Sequence, residues 1–173
     1  MPDSQAQALA TVIVCLRYQA RNERIMHHNF FVYQRRALQP LLFWGIVSSL
    51  LGALMLPFGG FTRHFGLQAA TWGVIDVLLA MAGRRRALLK AEALAEHHLD
   101  ESAATHEAER FRGILLFNAG LDVLYIGAGL FTALRFANRP DRRGMGVGIA
   151  VQGVFLLLFD VLLARDVERK FLV

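Results

Sequence analysis

Four blocks of apolar residues divide this chain, each close to the length needed to cross the hydrocarbon core of a bilayer as a helix. They run from about Leu41 to Phe58, Leu67 to Ala82, Gly113 to Leu134 and Val147 to Ala164, the first two being the shortest. Composition agrees: 55% of the residues are hydrophobic and the mean hydropathy is +0.38. An ordinary soluble domain is about 45–50% apolar even when Gly is counted. The expected fold is therefore all-α: a four-helix transmembrane bundle of two hairpins, with helical cytoplasmic extensions and an N-terminal amphipathic helix.

Breakers between the blocks set the connections. Pro57, Gly59 and Gly60 end the first span, since Pro lacks a backbone donor and Gly accepts turn conformations, so the first two spans form an antiparallel hairpin. Residues 84 to 98 are strong helix formers that continue the second span into the cytoplasm. In L-D-E-S-A-A-T-H-E, Asp100, Ser102 and Thr105 are cap candidates for a reversal into the third span. N-R-P-D-R-R-G-M-G, punctuated by Pro140 and Gly144, reads as the turn before the fourth.

Upstream, Leu9, Val12, Ile13 and Leu16 share one helical face behind Ser4, giving an amphipathic helix that ends near Asn22. It is not read as a signal peptide, because Asp3 precedes it without any Lys or Arg. The segment from Glu23 to Arg36 then runs into the first span, with Pro40 as a kink or restart. Residues 1–38 are thus an amphipathic helical region and 39–173 the bundle, one domain overall. A lone Cys15 makes no internal disulfide.

The positions of the basic residues say more than the net charge of +5. Fourteen lie in the N-terminal region, between the second and third spans, and in the tail, against five around the two remaining turns. The positive-inside rule then places both termini in the cytoplasm, although Arg135, Arg139, Arg142 and Arg143 crowd the second outer turn. Arg84, Arg85 and Arg86 are expected to snorkel to anionic headgroups. No nucleic-acid motif accompanies them, so no nucleic-acid partner is expected.

Three of the blocks carry an aspartate followed by Val and Leu: Asp76, Asp122 and Asp160. Q-A-A-T-W-G-V-I-D-V-L-L-A from Gln68 matches Q-G-V-F-L-L-L-F-D-V-L-L-A from Gln152 in its Gln, Asp and V-L-L-A, as duplication of a hairpin would leave it. Measured from the nearest arginine, the three carboxyls lie roughly 12, 15 and 8 Å inside the cytoplasmic boundary. Each costs about 2.5–3.5 kcal/mol at a helix centre, a cost usually met by facing the bundle interior or water. Gln68, Asn118 and Gln152 share faces with the aspartates, and Ser48 and Ser49 add hydroxyls. Clustered carboxylates in low dielectric do not all remain ionised, so such a seam suits a proton, a cation or an amine-bearing solute. The competing reading is structural, each Asp hydrogen-bonding to Gln, Asn, Tyr125 or an Arg.

Weaker constellations remain. His97, His98 and Glu101 are the candidate metal ligands, though no HExxH-like spacing supports them and a solvated helix tip explains the same residues. Gly120, Gly127, Gly129, Gly144, Gly146 and Gly148 follow no strand, so they indicate close helix packing rather than a nucleotide loop. No spacing supports a catalytic triad or dyad, and the cofactor, if any, stays unassigned.

Glu109-Arg110 leading into F-N-A-G-L-D-V-L-Y-I-G-A-G-L, ahead of a last span ending in D-V-L-L-A, resembles small four-span bacterial membrane proteins grouped as families of unknown function. The resemblance covers roughly residues 30–165. It implies a bacterial inner-membrane location and carries over no functional residue. The expected activity is proton- or cation-linked transport or solute binding through the acidic seam. The alternative is a non-catalytic accessory or assembly protein that engages a second copy or a membrane-protein partner through its cytoplasmic helices.

Overall fold

The computed structural model of the chain describes residues 30–96 and 101–173. Within them every element is helical: α1 (Phe30–Ala37), α2 (Gln39–Met55), α3 (Gly60–Ala95), α4 (Glu101–Arg135) and α5 (Pro140–Val167), followed by a π-helical turn over Glu168–Leu172. Four stretches are long and apolar enough to cross a membrane: Phe30–Met55, Gly60–Ala95, Ala103–Arg135 and Pro140–Leu172. The fold is the expected all-α bundle. The predicted helix ending near Asn22 lies outside the described residues.

Local chemistry explains the boundaries and corrects some of them. Pro40 stands in the first turn of α2, where its missing N–H is tolerated, so α1 and α2 meet as a restart at Leu38. α2 stops at Met55, short of the expected Phe58: Leu56 still has helical backbone as the cap, and Pro57, which has no N–H to donate, follows it. Gly60 opens α3 at a φ of 58°, a left-handed conformation that suits Gly. Ser102 and Thr105 fall inside α4 rather than ahead of it, and Asp100 is outside the described residues. Gly144 belongs to no turn either. Pro140, at the helix start, launches α5 directly, and Gly144 is buried within it.

Packing follows from the small residues. α2 runs along α3, α4 along α5, and α3 and α5 form the shared centre. In the first hairpin a Cβ on Gly73 would stand 2.6 Å from Gly45 O and Ser49 N, so two backbones touch there. The second hairpin repeats the device, with a Cβ on Gly146 falling 2.5 Å from Ala133 N. Gly73→Val is expected to destabilise the protein by about 1–3 kcal/mol, since backbone has to move to admit the side chain. Denaturation of the purified protein in detergent measures this, and an unchanged midpoint would contradict so close an approach of α2 and α3.

The two hairpins lie side by side, with α3 and α5 pointing the same way. A Cβ on Gly60 would contact Pro140 at 3.6 Å, and one on Gly144 would meet Phe61 and Phe65. Further along, one on Gly148 would meet the Gln68 side chain. Because Gly148 sits against Gln68, Asp160 is level with Ala80, about one helical turn below its sequence match Asp76.

The bundle is inverted relative to a soluble core. α3 buries Gly66, Ala69, Gly73, Asp76 and Ala80, while Val74, Ile75, Leu78 and Leu79 are exposed. Small and polar groups fill the interior and large apolar groups cover the outside, which water does not reward and hydrocarbon does.

One end of the bundle departs from this pattern. There α1 docks with Phe30 and Phe31 into a cluster completed by Ala108, Leu115, Leu163, Ala164 and Val167. The Phe30 ring meets Phe31, Phe111 and Phe171 edge to face at 5.8, 5.9 and 5.3 Å. Ion pairs rim the cap: Lys90 to Glu107 at 2.8 Å, Arg112 to Glu168 at 2.9 Å and Lys170 to Asp166 at 2.7 Å. The Tyr33 hydroxyl donates to the same Asp166 carboxylate.

Candidate functional site

The seam is built along α5, which packs against both α3 and α4. Asp76 of α3, Asp122 of α4 and Asp160 of α5 are 1%, 3% and 6% exposed, and Gln152 is equally buried. Each occupies a place in its helix's inward stripe that Gly or Ala fills one turn away: Gly73 and Ala80 around Asp76, Ala119 before Asp122, Ala164 after Asp160. Small neighbours bring the helices close, and that closeness shuts the carboxyls in. Gln68 and Asn118, also expected in the seam, are only half-buried.

Three observations define the geometry. Asp76 lies within electrostatic range of Asp122, and Asp160 within range of both. A Cβ on Gly153 would stand 3.2 Å from the Asp122 carbonyl oxygen, which fixes α4 against α5 at this depth. Finally, Asp76 Oδ2 and Asp122 Oδ2 are buried with no hydrogen-bond partner among the described residues. The structural reading expects each Asp to bond to Gln, Asn, Tyr125 or an Arg, and among the described residues no such bond reaches these two oxygens.

The glutamines do something else. Gln152 Oε1 accepts a hydrogen bond from Trp44 Nε1 at 2.7 Å, and the Trp44 ring stacks on Phe155 at 4.1 Å. Trp44 therefore ties α2 to α5, a role the sequence reading missed. The one available signal was that a buried indole N–H needs an acceptor. Trp72 meets Tyr125 edge to face at 5.2 Å, joining α3 to α4. Ser48 is buried beside the seam's first hairpin, and Ser49 Oγ is buried without a partner among the described residues.

Carboxyls within one another's electrostatic range are coupled in their ionisation, because charging one raises the cost of charging the next. Direct metal binding is less well matched: among the described residues no three His, Cys, Asp or Glu side chains converge to hold a metal ion. His97 and His98 lie outside the described residues, as does the side chain of Glu101, so that candidate metal set has no geometry to weigh.

No curated protein and no solved structure matches the chain. A family pattern does match, over residues 40–161, from the start of α2 to just past Asp160, and so takes in all three aspartates. On that match the chain belongs to DUF6992, a family of unknown function.

Proposed function

We propose that this is a bacterial inner-membrane protein whose buried aspartates bind and release protons, coupling that exchange to the passage or binding of a small solute or cation. The observation that carries the reading is the burial of three carboxyls from three helices within electrostatic range of one another, two of them with an oxygen lacking any partner among the described residues. Acids used only to fasten helices would be hydrogen-bonded, since an unsatisfied buried polar group costs about 1–3 kcal/mol. Intramembrane acids that keep such a cost commonly serve proton or ion pathways.

Both termini are placed in the cytoplasm, with the aromatic cap and its ion pairs on that side. The excess of Lys and Arg at that end supports the orientation. Two of the discordant outer-turn arginines, Arg135 and Arg142, lie over the Phe136 ring at 5.6 and 4.5 Å, a local role independent of orientation. The accessory-protein reading draws less support. Over the described part of residues 84–112, Leu89 is the one large apolar side chain left strongly exposed.

Infrared titration of the purified protein tests the proposal, because protonated carboxyls absorb apart from carboxylates. Asp122→Asn is expected to change the titration of the bands contributed by Asp76 and Asp160, as members of one coupled group. Bands that titrate as before, each indifferent to loss of the others, would refute a shared proton site.

A further inference from the structure

The cytoplasmic end of α3 does more than present three arginines to the membrane surface. α1 and α3 enclose a cleft of about 250 Å³ whose polar lining is Arg35, Arg36, Gln39 and Arg84, with Phe31 and Leu88 among its walls. Among the described residues no carboxylate lines it. Its floor is kept low by Ala87, which is fully buried. Arg84 donates one N–H to Arg35 O at 3.0 Å, which holds its guanidinium against α1 and leaves it further N–H donors. Arg85 and Arg86 lie outside the cleft lining and are exposed.

We propose that this cleft holds the phosphate of one anionic phospholipid, gripped by Arg35, Arg36 and Arg84. Guanidinium forks match phosphate oxygens bidentately, and three of them around one space exceed what diffuse surface attraction requires. Depth favours a lipid over free phosphate. Arg84 is the first charged residue after the apolar run of α3, and Leu78, Leu79 and Met81 offer exposed apolar surface about one turn away, where acyl chains would lie. The N-terminal 29 residues carry Arg17, Arg21 and Arg24 against Asp3 and Glu23, so that part of the chain has no acidic excess with which to fill the cleft. The inference rests on the membrane reading but not on the aspartate seam.

The test uses the full chain, extracted from membranes in a non-ionic detergent, with bound lipid counted by native mass spectrometry. Recovery in the membrane fraction checks the membrane reading separately. Phosphatidylglycerol is expected to be retained singly, about tenfold better than phosphatidylcholine, which bears the same phosphate without net charge. Arg36→Ala should weaken that retention about tenfold, and Arg36→Lys by less, whereas Arg85→Ala should change it by under about twofold. Far-ultraviolet circular dichroism confirms that each variant keeps its helices. Equal losses in Arg36→Ala and Arg85→Ala would overturn the site in favour of diffuse attraction. Displacement of the lipid by millimolar inorganic phosphate would overturn the lipid assignment and leave free phosphate as the ligand.

Discussion

Phe30→Ala is expected to destabilise the protein by about 3–5 kcal/mol and to release α1 from the bundle. Phe30 is 1% exposed and touches α1, α4 and the terminal π turn through Phe31, Phe111 and Phe171. Its removal leaves a cavity whose walls are rings held by three separate segments, so collapse to fill it requires all of them to shift. Once α1 lifts, Arg35 and Arg36 lose their seat beside Arg84, and trypsin should cut there in the variant far faster than in the native protein. Phe43→Ala is the matched control. Phe43 is 70% exposed on α2, so in detergent its loss leaves no interior cavity and should cost under about 1 kcal/mol. Equal effects of the two substitutions would mean that the cap is not an independent core.

Asp122→Asn should separate stability from activity. Asn nearly preserves the shape of Asp and removes a buried acid that has no partner for Oδ2 among the described residues, so unfolding should change by no more than about 1 kcal/mol. Proton movement should fall much further. In vesicles carrying an imposed pH gradient, the native protein is expected to speed its decay, and Asp122→Asn to lower that added rate about tenfold or more, because protons then pass through two carboxyls instead of three. A helix fastener predicts the opposite pair of results: a clear loss of stability and an unchanged rate. Asp160→Asn offers a second reading of the same contrast at a position nearer the cytoplasmic boundary.

Several features of the seam were legible because they depend on spacing along one helix. Asp76 sits on the same stripe as Gly73, Ala69 and Gly66, and Asp160 on that of Gln152 and Gly153, so their inward direction follows from periodicity. Gln68 and Asn118 occupy similar stripes yet finish half-buried. Whether a position at the edge of a stripe is covered depends on how near the neighbouring helix stands, and a single helix carries no record of that distance. The glycines show the same division. Their abundance signalled close packing, but that Gly144 meets Phe61 while Gly129 meets Ala150 is a matter of which helices pair.

The cap was least legible. Phe30, Phe31, Phe111 and Phe171 lie in three segments whose own sequences mix charged and apolar residues, so none stands out as a core element. Helical periodicity also could not show that Trp44 would bond Gln152 across the bundle.

By itself, then, the sequence determined that this chain forms long apolar helices, where Pro57 and Pro140 interrupt them, and that three acids must be taken out of water, since each of these follows from short-range backbone sterics and solvation. Only the tertiary structure decided that α3 and α5 are the central pair, that Asp160 comes within electrostatic range of both Asp76 and Asp122, and that α1 packs on the bundle end to build a cap and an arginine-lined cleft. Those outcomes depend on interhelical distances set by small residues meeting from remote parts of the chain, where one methyl group more or less decides which backbones can touch.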